Sequence, residues 1–114
     1  MTLDELTHMQ EDFDSRHEGY FKWNDKVTED NLELLEFLIV SLTGELGETA
    51  NIVKKVVRGD FSLDGVKDQL QEEIADMFIY LLKLAYQMDI DLEDAYLQKL
   101  NKNQERFKCY EKSE

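Results

Sequence analysis

The apolar residues of this chain recur every three or four positions along most of its length, which is the period of an amphipathic helix. The spacing predicts four main helices, over about 3–21, 31–58, 66–88 and 92–107. The second and third helices have the clearest apolar stripes, formed by Leu35, Leu38, Leu42, Leu46, Ala50, Val53 and Val57, and by Val66, Leu70, Met77, Tyr80, Leu84 and Met88. The sequence therefore predicts an all-α protein.

Capping residues predict where these helices begin and end. Asp30, followed by Glu33, fits an N-cap and N3 pair, and Asp91 with Asp94 marks the start of the last helix. Gly59 is a natural residue to follow the end of the second helix. Residues 22–29 and 59–65 are predicted as connections, and short connections imply antiparallel neighbours. We expect a helical bundle that forms one domain over residues 1–114.

Composition narrows the range of partners and compartments. The 114 residues are 42% hydrophobic, and 26 acidic against 13 basic residues give a net charge of −13. This charge disfavours binding to nucleic acid polymers and to anionic membranes, which both attract basic surfaces. The longest apolar stretch, Leu34 to Leu42, is too short to span a bilayer. Cys109 is the only cysteine, and the acidic N-terminus resembles no targeting peptide, so we expect a cytoplasmic protein.

Two pairs of carboxylates lie in the apolar stretches of the second and third helices: Glu45 with Glu48, and Glu73 with Asp76. Residues three apart share a helix face, so each pair presents two carboxylates together. A carboxylate among core residues costs free energy unless a positive group joins it. Four that converge repel one another unless they are protonated or bridged by a cation. Because all-oxygen ligation suits Mg²⁺ or Mn²⁺, the pattern indicates a divalent metal site across two helices.

Other acidic pairs and two histidines offer competing interpretations. The same spacing of two acids occurs at Glu11/Asp14, Glu33/Glu36, Asp91/Asp94 and Glu111/Glu114. For these pairs we expect solvated faces or positions at helix N-termini. Glu5-x-x-His8 and the looser Asp14-x-x-His17 each match half of a di-iron motif, which must occur on two facing helices. Both lie on one predicted helix, so we expect both histidines at the surface.

The ordered carboxylates also carry a resemblance to a known family. Glu45-Leu-Gly-Glu48, then 24 residues, then Glu73-Ile-Ala-Asp76 resembles the E-x-x-E…E-x-x-D signature of the MazG-like all-α nucleoside triphosphate pyrophosphohydrolases. The resemblance covers roughly residues 30–107, including GELGETANIVKKVVRGD, EEIADMFIYLLKLA and KLNKNQERF. It implies Mg²⁺-dependent conversion of a (deoxy)nucleoside triphosphate to the monophosphate and pyrophosphate, as in nucleotide-pool house-cleaning.

The same resemblance assigns roles to individual residues. It implies that the metal ligands, and the candidate catalytic carboxylates, are Glu45, Glu48, Glu73 and Asp76. It implies substrate contacts by Lys99, Asn103, Arg106 and Tyr80, and by Trp23 near the base-contacting positions of the dCTP pyrophosphatase branch. Alternatives stay open, because basic residues also favour the end of a helix and aromatic residues are typical of cores. Family members are dimers or tetramers with pockets at the subunit interface, so the resemblance implies a homodimer or homotetramer.

Two other functions remain open at the level of sequence. One is a related enzyme on the same scaffold, such as phosphoribosyl-ATP pyrophosphohydrolase. The other is a non-catalytic helical dimer module, against which the intact carboxylates argue.

Overall fold

The computed structural model describes residues 1–113, so Glu114, one member of an acidic pair considered above, lies outside the described residues. The described chain forms α1 (Leu3–Ser15), α2 (Leu32–Arg58), α3 (Leu63–Gln87) and α4 (Leu92–Arg106), followed by a 3₁₀ turn at Lys108–Tyr110. Residues 1–113 contain no strand beyond one isolated bridge between Glu18 and Lys22. The predicted all-α class with four helices is confirmed. None of the described helices has the length and apolar character that crossing a bilayer requires.

Capping chemistry sets several helix ends close to where the sequence predicts them. Gly59 ends α2 with a φ of 93°, the left-handed conformation that glycine adopts without steric cost. Asp91 begins α4, because its side chain accepts a hydrogen bond from the N–H of Asp94. Ser62 begins α3 three residues earlier than predicted, since its hydroxyl accepts from the N–H of Gly65. The predicted turn therefore ends before Gly65, which lies in the first turn of α3.

The first helix is shorter than its apolar pattern suggests. It ends at Ser15 rather than near residue 21, and residues 16–31 form an irregular connecting segment. Hydrogen bonds to the end of α3 replace further helical bonds: Val27 N–H donates to Gln87 O at 2.8 Å, and Gln87 Nε2 donates to Asp25 O at 2.8 Å. Asn31, rather than Asp30, directly precedes α2, and its side chain bonds within the connecting segment. Tertiary contacts therefore override the helical periodicity here.

Three of the four helices form the core, in which α3 packs against both α1 and α2. The buried apolar residues are Leu34, Leu38, Ile52, Val66, Leu82, Ala85 and Tyr86. The stripe predicted for α2 is only partly buried, because Leu46 and Val57 are 56% and 84% exposed. The expected packing of α4 beside α3 is not observed: α4 buries no residue, and its one extensive contact among the described residues is with the 3₁₀ turn. Leu46, Val57 and the apolar residues of α4 therefore remain largely uncovered within the described chain.

Candidate active site

A cavity of about 700 Å³ lies between α1, the connecting segment, α2 and α3. Six aromatic side chains form much of its wall: Phe13, Tyr20, Phe21, Trp23, Phe37 and Tyr80. Leu34, Leu38 and Ile79 add aliphatic surface, and the polar lining residues are Gln10, Asp14, Glu45, Asp76 and Lys83. A cleft with apolar walls and a few polar groups is typical of a small-molecule site.

Three of the four predicted carboxylates converge beside this cavity, and two of them, Glu45 and Asp76, line it. Glu45 of α2 and Glu73 and Asp76 of α3 each place a carboxylate oxygen within 4.8 Å of the others, and we call them the carboxylate cluster. All three are partly buried. Around one Mg²⁺ ion, neighbouring oxygens lie about 3 Å apart and opposite ones about 4 Å apart, so small side-chain movements would bring these three donors onto one cation.

The surroundings of Glu73 disfavour its charged form. The pKa of Glu73 is raised from 4.5 to about 7, chiefly by a hydrogen bond with the Glu45 side chain, then by burial, then by the negative charges of Glu45, Glu48 and Asp76. In addition, Oε2 of Glu73 is buried without a hydrogen-bond partner among the described residues. A buried carboxylate oxygen without a partner is costly, so the site favours a proton or a metal ion.

A second polar cluster lies on the same face of α3 and has opposite charges. Lys83 Nζ forms an ion pair with Asp14 Oδ2 at 2.7 Å, and the Tyr86 hydroxyl donates to the same oxygen at 2.6 Å. We call these three residues the ion-pair cluster. Gln10 Nε2 donates to Asp14 Oδ1 at 3.0 Å. Burial and the negative charge of Asp14 raise the pKa of Tyr86 above its ordinary value.

The ion-pair cluster is nearly inaccessible to solvent: Asp14 is 1% exposed and Lys83 is 8% exposed. The prediction that Asp14 lies on a solvated face is therefore wrong. Its neighbours in sequence did not reveal this, because the partner Lys83 is 69 residues away. A signal for Lys83 did exist, since it is a charged residue inside the apolar run Met77–Met88.

The other residues singled out from the sequence divide into two groups. Tyr80 and Trp23 line the cavity, where we expected aromatic contacts with a substrate. Glu48 is exposed and lies outside the carboxylate cluster, although its charge still raises the pKa of Glu73. Lys99, Asn103 and Arg106 lie on α4 and are not among the described residues that line the cavity. One chain therefore brings together the carboxylates and aromatics but not the basic residues of α4.

Neither histidine belongs to a metal-ligand group among the described residues. His8 is exposed as expected, with its ring 3.7 Å from Asp4. His17 is only partly exposed, since its ring stacks between Phe13 and Trp23 at centroid distances of 4.4 and 4.9 Å. Its Nδ1 lies 2.7 Å from Phe13 O. His17 thus supports the aromatic wall of the cavity.

Comparison with known proteins finds a matching family and several relatives. A model of the MazG nucleotide pyrophosphohydrolase domain matches residues 34–109. The chain is similar to the Gene 37 protein of Mycobacterium phage L5, with 40% identity over 82 residues that cover 68% of this chain and 69% of the phage protein.

It is also similar to two mammalian proteins named dCTP pyrophosphatase 1. The human protein is 34% identical over 77 residues, which are 64% of this chain and 45% of that protein. The mouse protein is 34% identical over 74 residues, which are 61% of this chain and 44% of that protein. The chain thus matches less than half the length of these mammalian relatives. No solved structure matches the chain.

Proposed function

The chain belongs to the MazG nucleotide pyrophosphohydrolase domain family and is an enzyme of that hydrolase class, and we propose that it converts a deoxynucleoside triphosphate to the monophosphate and pyrophosphate with Mg²⁺ as cofactor. The observation that carries this proposal is the position of the carboxylate cluster at an aromatic cavity. Aromatic walls suit a planar nucleobase, while the carboxylates suit the cations that accompany a triphosphate.

Three features of the carboxylate cluster support an Mg²⁺ site. Its donors are all oxygens, they converge from two helices, and Oε2 of Glu73 has no other partner among the described residues. Glu45, Glu73 and Asp76 would hold the ion, and Mn²⁺ has the same ligand preferences. Glu48 is one helical turn from Glu45 and would join when its side chain turns toward the cluster.

The bound ion would polarise the phosphoryl group and lower the pKa of water. The protein residues position the water and the substrate. A carboxylate of the cluster that is not fully committed to the metal orients the attacking water and accepts its proton. The aromatic wall holds the base and excludes water from this end of the cavity.

We propose further that the enzyme is a homodimer or homotetramer, and that a second subunit completes the site. The α2 residues Phe37, Ile39 and Val40 are 52%, 46% and 62% exposed, and on α4 Tyr96 and Leu97 are 63% and 54% exposed. Lys99, Asn103 and Arg106 share α4 with that uncovered surface. Association through α4 would bring positive charge toward the phosphates and offset the negative charge of the cluster.

Light scattering tests the association. Since one chain has a mass of 13.5 kDa, a particle of at least twice that mass is expected at micromolar concentration. A monomer would contradict the oligomer but not the reaction. A cytoplasmic location stays a prediction.

Phosphorus NMR of a dCTP or dATP reaction with Mg²⁺ tests the chemistry. Monophosphate and pyrophosphate should appear together, without a diphosphate intermediate. Formation of diphosphate and orthophosphate would refute the reaction type. Release of no product from any common nucleotide, with Mg²⁺ or Mn²⁺, would favour a non-catalytic module instead.

A further inference from the structure

Lys83 is the only basic residue among those described as lining the cavity, and it lies outside the E-x-x-E…E-x-x-D signature. Its ammonium group donates to Asp14 Oδ2 at 2.7 Å and to Trp23 O at 3.0 Å, and it lies 6.0 Å from the centroid of the Trp23 ring. An ammonium group has three N–H donors and no acceptor. Two are used within the described chain, so one donor remains.

The partners of Lys83 fix its position. Asp14 is itself held by Tyr86 through Oδ2 and by Gln10 through Oδ1, so the carboxylate has little freedom to move. The bond to Trp23 O ties the ammonium group to the connecting segment that carries part of the aromatic wall. A donor fixed by buried groups recognises a ligand atom with little loss of conformational entropy on binding.

The remaining donor is well placed relative to the carboxylate cluster. Asp76, Tyr80 and Lys83 all line the cavity and are spaced four and three residues apart, so they share one face of α3. At 1.5 Å per residue, Asp76 and Lys83 are about 10 Å apart along the helix axis. This is comparable with the length of a nucleoside, so phosphates held near Asp76 place the edge of a base near Lys83.

We propose that Lys83 is a specificity-determining residue that donates a hydrogen bond to a carbonyl oxygen of the nucleobase, so that the enzyme selects bases with a carbonyl group over adenine. This inference rests on the proposed function, because it assumes that a nucleotide occupies the cavity. A cationic donor is best matched by a carbonyl oxygen such as guanine O6 or thymine O4, whereas adenine presents an amino group at the equivalent position. A site with a fixed polar group discriminates strongly against a ligand that leaves it unpaired.

A matched pair of nucleotides tests the selectivity in the wild-type enzyme. dITP and dATP have similar purine rings, but dITP has a carbonyl oxygen at position 6 where dATP has an amino group. We expect kcat/KM for dITP to exceed that for dATP by about tenfold or more, as for other hydrogen bonds to a charged group. Equal or better use of dATP would overturn the proposal while leaving the pyrophosphohydrolase reaction intact.

Substitution of Lys83 tests which residue causes the selectivity. Lys83→Met approximates the length of the side chain and removes the donor. Any loss from altered packing should lower kcat/KM for dITP and dATP alike. Loss of the donor should lower kcat/KM for dITP further, so that the dITP/dATP ratio falls to within about twofold of one. The ratio of the two substrates, rather than either rate, is the readout, because a purely structural role would lower both rates equally. An unchanged ratio in folded Lys83→Met would refute the assignment.

Lys26 provides a matched control. It also contacts Tyr86, with Nζ 2.6 Å from Tyr86 O and 5.6 Å from the ring centroid, but it does not line the cavity. Lys26→Met should therefore leave the dITP/dATP ratio unchanged. If Lys83→Met does not fold, Asp14→Asn with Lys83→Met removes both charges and should show the same loss of selectivity.

Binding of the product monophosphates separates this proposal from the proposed reaction. Calorimetry with dIMP and dAMP requires no turnover, and dIMP should bind more tightly to the wild type by about tenfold. Selective binding without release of pyrophosphate would support the role of Lys83 and contradict the reaction. Failure to bind dIMP more tightly than dAMP would count against the role of Lys83 even in an active enzyme.

Discussion

Two polar clusters on one face of α3 handle buried charge in opposite ways. In the ion-pair cluster, Asp14 meets Lys83 at 2.7 Å and a tyrosine hydroxyl at 2.6 Å, so the negative charge is compensated within the chain. In the carboxylate cluster, three acids, Glu45, Glu73 and Asp76, converge with no basic side chain in the group. Glu73 Oε2 also lacks a hydrogen-bond partner among the described residues. The charges of the first arrangement compensate each other as folded, whereas the second leaves a requirement for positive charge.

This difference separates positioning from chemistry. A compensated buried pair holds its groups in place, and removing one partner is costly because the other charge stays buried. Like charges that repel are destabilising, and their concentration at a cavity is typical of functional sites. Substitutions in the two clusters should therefore have opposite effects on stability and different effects on activity.

The largest expected effect is on catalysis at the carboxylate cluster. Asp76→Asn should lower the rate of pyrophosphate release by about 10³- to 10⁴-fold, because loss of a metal ligand costs several kcal/mol of transition-state stabilisation. The measurement is kcat with saturating Mg²⁺. Asp68→Asn, at an exposed position of the same helix, is the control and should stay near wild-type activity. A comparable loss in the control would point to a general effect of charge.

The next effect is on folding through the ion-pair cluster. Asp14→Ala should lower the free energy of unfolding by about 3 kcal/mol, since it leaves the Lys83 ammonium group buried and unpaired. Glu73→Gln should instead raise the stability of the metal-free protein, because it relieves repulsion. Urea unfolding without Mg²⁺ measures both. Asp12→Ala removes an acid on α1 that is 73% exposed, and should change stability by less than about 0.5 kcal/mol. If Asp14→Ala and Glu73→Gln changed the free energy of unfolding in the same direction, the proposed difference between the two clusters would be wrong.

Mg²⁺ itself should stabilise the wild type. At 100 times its dissociation constant, a ligand that binds only the folded state adds about 2.7 kcal/mol, which thermal unfolding detects as a higher melting temperature. The double variant Glu73→Gln with Asp76→Asn should respond far less. Asp14→Ala, although less stable, should keep the full Mg²⁺ response. An undiminished response of the double variant would place the cation elsewhere.

Glu48 lies outside the carboxylate cluster but acts on it. Its side chain is exposed, yet its negative charge helps to raise the pKa of Glu73. If Glu48 supports the cluster from outside, Glu48→Gln should lower activity by about 10- to 100-fold. A loss as large as that of Asp76→Asn would show that Glu48 becomes a full ligand when metal binds. Assays of both variants across Mg²⁺ concentration distinguish weaker metal affinity from a lower maximal rate.

The smallest effect is a dependence of stability on pH. The pKa of Glu73 is raised from 4.5 to about 7, so the folded state binds this proton more tightly than the unfolded state. The resulting stabilisation is fully present below about pH 4.5 and is lost as the pH rises through about 7. Denaturant titrations of the metal-free protein should show this decline, and Glu73→Gln should reduce it. An identical pH profile for both proteins would assign the decline to other groups.

Local patterns in the sequence predicted much of the fold and the carboxylates of the candidate site. The three- and four-residue apolar spacing identified four helices, and Gly59 and Asp91 marked two of their ends. The Glu45/Glu48 and Glu73/Asp76 spacing identified the carboxylates, three of which converge. These features depend on residues within one or two helical turns, where backbone geometry alone fixes which side chains are neighbours.

Other features depended on contacts between distant parts of the chain. The apolar pattern extended α1 to about residue 21, but hydrogen bonds with the end of α3 hold residues 16–31 in an irregular path. The basic residues of α4 looked suitable for the site, yet within one chain they remain away from the cavity. Helical periodicity cannot predict which of several apolar faces finds a partner.

The sequence by itself determined the helical class and the two acidic pairs, because helix formation and side-chain spacing are local properties. Only the tertiary structure decided that Asp14 is buried against Lys83, 69 residues away, and that aromatic residues from α1, the connecting segment, α2 and α3 enclose one cavity. A charge is stabilised or destabilised by whatever surrounds it, and for Asp14 and Glu73 those surroundings form when the helices pack.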